Sequence, residues 1–113
     1  MKTAIIGSRT MNVIDLKPYI PEGTTEIVSG GAKGIDSCAK EYALSCGLRL
    51  TEFRPQYNRY KKGAPLMRNL QIIDYADTVI AFWDGTSKGT KFVIDKCREK
   101  CKPVKVIMKS DLL

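Results

Sequence analysis

Short apolar runs alternate along this chain with stretches in which apolar residues recur at helical spacing. Lys2 to Gly7, KTAIIG, is an apolar run closed by glycine, the pattern of a buried strand. Asn12 to Ile20 predicts a weak helix, with Asn12 as N-cap and Val13, Leu16, Lys17 and Ile20 at helical spacing. After the turn PEGTT, Glu26 to Ser29 reads as a second strand. Lys33 to Cys46 places Ile35, Ala39, Tyr42, Ala43 and Cys46 on one helical face, and Gly47 supplies the stop. Leu48 to Arg54 alternates and predicts a third strand, ended by Pro55. Gln56 to Ala64, QYNRYKKGA, is polar, basic and aromatic, and predicts the longest loop. Pro65 suits the first position of a helix running to about Ala76, with Leu66, Leu70 and Ile73 inward. Asp77 to Trp83 is a fourth strand, and Thr90 to Lys100 a helix with Val93, Ile94, Cys97 and Cys101 on one side. Pro103 to Met108 completes the set as a fifth strand.

Strands alternating with helices predict an α/β fold, a three-layer Rossmann-like domain with a mostly parallel sheet of about five strands and right-handed crossovers. At 113 residues the chain is expected to form one domain over 1–113. In such open sheets ligands bind outside the carboxyl ends of the strands, where the strand order reverses. Three turns are predicted to open on that edge: Gly7-Ser8-Arg9, Ser29 to Asp36, and Trp83 to Thr90.

Composition narrows the chemistry. A chain 43% hydrophobic and 27% charged is expected to be globular. Its longest apolar stretches are a handful of residues, so no membrane span is expected. The N-terminus lacks a long apolar segment followed by a small-residue cleavage site, so cytoplasm is the expected compartment. The absence of histidine excludes Ser–His and Cys–His nucleophiles and leaves acid/base work to carboxylates, lysines or tyrosines. Cys38, Cys46, Cys97 and Cys101 form no CxxC pair, and zinc would need all four together. They are expected to be buried free thiols, with no metal site. The net charge of +7 fits either a polyanionic partner or a well-solvated surface.

The three turns carry the candidate binding residues. In SGGAKGID, Ser29, Gly30, Gly31, Ala32, Lys33, Gly34 and Asp36 stand where a strand turns into a helix. Glycines there allow close backbone approach, and the helix N-terminus offers N–H groups and a positive dipole end to an anion. Lys33 adds a full charge. Asp36 either favours the dipole as a structural brace or hydrogen-bonds a sugar hydroxyl. In WDGTSKGT, Asp84, Gly85, Thr86, Ser87, Lys88, Gly89 and Thr90 repeat the combination of glycines, hydroxyls and a cation at a helix start. Trp83, at the strand end, serves packing or base stacking. Arg9, following Gly7 and Ser8, can fork onto a phosphate, and Arg68 and Asn69 sit early in a helix beside the basic loop. Arg9, Lys33, Arg68 and Lys88 are expected to aim four cations at one edge.

These motifs, Gly7-Ser8-Arg9, SGGAKGID, Met67-Arg68-Asn69 and WDGTSKGT, resemble in order and spacing the SLOG superfamily over nearly the whole chain. That superfamily includes the DNA-processing protein DprA (Smf) and the LOG phosphoribohydrolases, and the chain looks most like its small single-domain YspA-like branch. The resemblance implies a pocket for nucleotides, nucleotide-derived ligands or nucleic-acid phosphates. Gly7, Ser8 and Arg9 would line it, Ser29, Gly30, Gly31 and Gly34 would form its floor, and Gly89 and Thr90 would match a second phosphate turn. It also implies self-association as a dimer or tetramer. The LOG enzymes carry PGGxGTxxE, whose glutamate serves N-glycosidic cleavage; here that position is Val93 and no proline opens the turn.

The leading expectation is therefore a nucleotide or nucleotide-derivative binder, without a resident cofactor and with no residue assigned as catalytic. The alternative is DprA-like binding of single-stranded nucleic acid through the basic charge and the segment QYNRYKK. An N-glycosidic hydrolase ranks third, because Asp36 or Asp84 would have to stand in for the missing glutamate by a different geometry.

Overall fold

The computed structural model describes residues 1–112 of the chain. Five strands form one sheet: β1 (Lys2–Gly7), β2 (Glu26–Ser29), β3 (Arg49–Glu52), β4 (Thr78–Trp83) and β5 (Val104–Met108). Their order is β3-β2-β1-β4-β5, and every neighbouring pair is parallel rather than most of them. Four helices connect them: α1 (Ile35–Cys46), α2 (Tyr57–Tyr60), α3 (Ala64–Tyr75) and α4 (Lys88–Glu99). Among the described residues no helix is long and apolar enough to cross a membrane.

The two faces of the sheet are covered by different layers. Ile5, Ile27, Ile80, Phe82 and Ile107 pack against Ile35, Ala39 and Ala43 of α1, and against Met11 and Leu16. On the opposite face Ala4, Ile6, Val28, Val79 and Ala81 meet Ile72 and Ile73 of α3 and Val93, Ile94 and Cys97 of α4. Central parallel strands buried on both faces need apolar residues at every position. This is why β1 and β4 read as unbroken apolar runs. β5 is an edge strand in which only Ile107 is fully buried, and its Lys105 faces solvent, a common protection of a free edge.

Two expectations about local structure fail. Asn12 to Ile20 is not a helix: only Lys17–Tyr19 closes, as one 3-10 turn. Asp15 accepts the N–H of Lys17 at 3.0 Å, Ile14 is fully exposed, and Pro18 occupies the turn. A carboxylate bonding the backbone two residues on competes with helix formation. Together with the preceding Met11 the segment covers the sheet, burying Met11 and Leu16 and setting Tyr19 edge-on to Phe82 with 5.3 Å between ring centres. Conversely, Gln56 to Ala64 is not a loop. It forms α2 and a 3-10 turn at Lys61–Gly63, broken from each other at Lys61, whose φ is 52°.

Smaller corrections concern helix faces. In α3 the buried residues are Ala64, Arg68, Ile72 and Ile73, while Leu66 is exposed. In α1 Cys46 is exposed and Tyr42 only half-buried. The four cysteines are free, but only Cys97 is buried; Cys38 is half-buried, and Cys46 and Cys101 are exposed. Cys101 lies past the end of α4 with a left-handed backbone (φ 57°), so it leaves the face it was expected to share.

Candidate functional site

The strand order reverses between β1 and β4, and there the first connection leaves toward β2 while the fourth strand begins the other half of the sheet. The turns after β1, β2 and β4 meet above this point and enclose a cleft of about 400 Å³, within the usual range for small-molecule sites.

Asp84 binds two of the turns together. Its carboxylate accepts from the N–H groups of Ser87 at 2.8 Å and Thr86 at 2.9 Å, and from the hydroxyls of Thr86 and Thr10, each at 3.2 Å. Its own N–H donates to Ser8 Oγ at 3.3 Å. The two backbone N–H bonds hold its carboxyl down at a pKa of about 2. Ser87 then caps α4, with its hydroxyl near the N–H of Thr90. Trp83 does not line the cleft. Its indole N–H donates to the carbonyl of Ser87 at 3.0 Å and its ring packs on the α3–α4 side of the core, so it braces the turn instead of offering a stacking surface.

The glycines of SGGAKGID are crowded by protein rather than open. Gly34 has φ 72°, and a Cβ there would stand 2.5 Å from the carbonyl oxygen of Arg9. Gly30 lies beneath the Arg68 guanidinium, and the Arg54 guanidinium covers Gly31. The glycines therefore let the turns after β1 and β2, and two arginines, pack against one another. Gly89 is different: it lines the cleft and nothing lies within 4 Å of where its Cβ would be.

The helix starts differ in the same way. In the first turn of α1, Asp36 accepts the N–H of Ala32 at 3.0 Å, so a carboxylate already occupies that positive end. The first turn of α4 carries no acidic residue, and its Ser87, Gly89 and Thr90 line the cleft. At α4 an incoming anion meets a cleft-lining helix turn without an acidic residue, beside Asp84, which already accepts the N–H of Ser87. Helix α3 likewise starts at the cleft without an acidic residue.

Asp36 and Arg68 form the buried wall. They are 8% and 9% exposed, although both carry charge. Arg68 donates from Nη1 to the carbonyl of Gly30 at 2.7 Å and from Nε to Asn69 Oδ1 at 2.8 Å. Burial pushes the Asp36 carboxyl above the ordinary aspartate value, against the N–H of Ala32 and the Arg68 charge, which lower it. Burial also pulls the Arg68 guanidinium below its ordinary value, with Asp36 opposing. Displaced protonation of groups in a cleft is characteristic of functional sites.

Of the residues expected at the site, Gly7, Ser8, Arg9, Gly30, Ala32 and Asp36 line the cleft from the first two turns. Arg68, Asn69, Asp84, Ser87, Gly89 and Thr90 line it from α3 and the third turn. Ser29, Gly31 and Gly34 do not line the cleft, and Gly85, Thr86, Lys33 and Lys88 are exposed away from the lining. The expected set of four cations reduces to Arg9, exposed at the mouth, and Arg68, buried in the wall. Sequence reasoning missed Thr10, Pro65 and Leu66, and the apolar floor of Ile6, Ile72 and Val93. Helical spacing could have found two of these, since Ile72 lies four residues beyond Arg68 and Val93 four beyond Gly89. Among the described residues no three metal-ligating side chains cluster.

Comparison with family models, curated proteins and solved structures finds no match for this chain.

Proposed function

We propose that this chain binds a nucleotide or nucleotide-derived small molecule, with a phosphate at the N-terminus of α4. The observation that carries this reading is Gly89, whose bare backbone opens on the cleft in a helix turn that contains no acidic residue. Arg9 adds charge at the mouth and makes no ion pair among the described residues. The motif order that resembles the SLOG superfamily supports the same reading, and membership of that superfamily is part of the proposal. Val93 supports binding over cleavage, because it puts an apolar side chain in the cleft where the LOG motif has its glutamate.

The test is a thermal-shift panel of nucleotides, cyclic nucleotides and NAD derivatives on the wild type and on Gly89→Val. A ligand at ten times its Kd should add about 1.4 kcal/mol of stability, a shift of several degrees in Tm. Gly89→Val should abolish the shift while the unliganded protein still unfolds cooperatively. No shift with any nucleotide at millimolar concentration would rule the reading out.

One observation favours a second reading. Tyr57 and Arg59 on α2 line a separate shallow groove with Pro55 and Gln56, and Lys61 and Lys62 follow them in exposed positions. Exposed aromatics among cations suit a nucleic-acid single strand. That role predicts affinity that rises with oligonucleotide length and falls steeply with salt. It should be lost in Tyr57→Ala and unaffected by Gly89→Val.

A further inference from the structure

Asp36 and Arg68 crowd the same point of the β2–α1 turn without closing on each other. A Cβ on Gly30 would stand 2.5 Å from Arg68 Nη1 and 3.0 Å from Asp36 Oδ2. Even so, the two side chains do not form an ion pair. Protein groups take part of each side chain's bonding capacity. Nη1 and Nε of Arg68 are bonded to Gly30 and Asn69, and Oδ2 of Asp36 is bonded to Ala32. Among the described residues Arg68 Nη2 has no such bond, and the Asp36 carboxylate has beyond Ala32 only the Ser29 hydroxyl beside it. Among the described residues no buried polar side-chain atom is left without a partner. Arg68 Nη2 therefore reaches the surface, and the surface that Arg68 and Asp36 share is the wall of the cleft.

A donor and an acceptor side by side, of opposite charge, select the group that can sit between them. A phosphate drawn to Arg68 is repelled by Asp36, and an ammonium drawn to Asp36 is repelled by Arg68. A neutral hydroxyl satisfies both, since its O–H donates to the carboxylate and its oxygen accepts from the guanidinium. Nη2 carries two N–H donors and a carboxylate oxygen two lone pairs, so a second, adjacent hydroxyl can be held beside the first. The phosphate has its own place at α4, so the cleft divides into an anion end and a hydroxyl end.

We propose that Asp36 and Arg68 form a sugar subsite that reads the adjacent hydroxyls of a ribose, so that the ligand is a ribonucleotide or another ribose phosphate and not its deoxy counterpart. The proposal rests on the phosphate-binding reading of the same cleft, and its test separates the two. Isothermal titration of the full chain compares AMP with 2′-deoxy-AMP, and ribose 5-phosphate with 2-deoxyribose 5-phosphate. In at least one pair the ribose form should bind about tenfold tighter or more, because the deoxy form leaves buried polar groups without a partner. Asp36→Asn should bring that ratio toward one, and Arg68→Gln should do the same. Equal affinity within both pairs overturns the sugar subsite while leaving phosphate binding intact. Discrimination confined to the sugar phosphates upholds the subsite and sets aside the nucleotide as its ligand. No binding of any of the four overturns the sugar subsite, while the phosphate reading stands or falls on the wider thermal-shift panel. The ribose comparison is made on the wild type, so it stands even if a variant fails to fold.

Discussion

Glu26 and Asp36 are the two carboxylates buried among the described residues, and they lie at opposite ends of the parallel sheet. At the amino end, Glu26 accepts hydrogen bonds from the hydroxyls of Thr51, at 2.8 Å, and of Tyr75. Arg49 approaches to 4.0 Å, and Lys2 lies over the Tyr75 ring. The Tyr75 bond, more than any other group, holds the Glu26 carboxyl below its ordinary value, and Glu26 pushes the Tyr75 phenol up in return. At the carboxyl end, Asp36 has the N–H of Ala32, with the Ser29 hydroxyl and the Arg68 charge near it but no ion pair, and burial outweighs them and shifts its carboxyl the other way. The amino end satisfies its own charges, whereas the carboxyl end keeps bonding capacity that the fold does not use. Asymmetry of this kind distinguishes a bracing network from a binding site.

The largest predicted effect tests whether the carboxyl end depends on close backbone packing that the amino end lacks. Helix α1 runs between the two ends and has a left-handed glycine at each, Gly34 with φ 72° and Gly47 with φ 67°. At Gly47 nothing lies within 4 Å of where a Cβ would stand, whereas at Gly34 the carbonyl of Arg9 is 2.5 Å away. Gly47→Ala should cost about 1 kcal/mol, the backbone strain alone. Gly34→Ala adds a collision with main chain that cannot rotate aside and should cost about 3 kcal/mol or more. Urea unfolding of both variants measures the difference. Equal losses would mean that the contact between the turns after β1 and β2 is soft.

Next in size is the amino-end network. Glu26→Ala leaves the Thr51 hydroxyl and its neighbours without their acceptor and should lower stability by about 1–3 kcal/mol. Ligand affinity should not change, because none of these residues lines the cleft. A variant that folds stably but binds poorly would show that the two ends are coupled through the sheet.

The general position of the site was legible in the sequence, and its internal division was not. A glycine-ended apolar run at Gly7 and a tryptophan-ended run at Trp83 mark the strand ends, and the open-sheet rule places the cleft there. Motif reading assigns Lys33 and Lys88 to the cleft because they adjoin glycines in the chain. In space both are exposed and stand away from the lining. Motif reading also treats both glycine-rich turns as anion seats. Only the distances around Gly30, Gly34 and Gly89 show that the first is filled by Arg68 and Arg9 and the second is open. Such contacts join residues dozens of positions apart, and local patterning carries no record of them. The misread segments have local causes: Asp15 and Pro18 end the weak helix at Asn12 to Ile20, and the polar composition of Gln56 to Gly63 hides a short exposed helix.

The smallest predicted effect bears most directly on the comparison, because it sets the two carboxylates against each other as pH changes. A lowered carboxyl contributes stability that is present above its ordinary value and lost as pH falls through the lowered one. Glu26 is of this kind, from an ordinary value of 4.5. A raised carboxyl contributes stability that is fully present below its ordinary value and lost as pH rises through the raised one. Asp36 is of this kind, from an ordinary value of 3.8. At pH 7 Glu26→Gln should therefore be less stable than the wild type and Asp36→Asn as stable or more, each by about 1 kcal/mol or less. As pH falls, the Asp36 difference should shrink first, through its raised value, and the Glu26 difference only below 4.5, from the opposite side. Thermal unfolding of the three proteins from pH 7 down to about pH 3 reads this out. If Asp36→Asn is destabilised at pH 7 as much as Glu26→Gln, Asp36 is a brace for the turn and its burial serves the fold. If Asp36→Asn keeps its stability and loses discrimination between ribose and deoxyribose, the buried charge is held for the ligand.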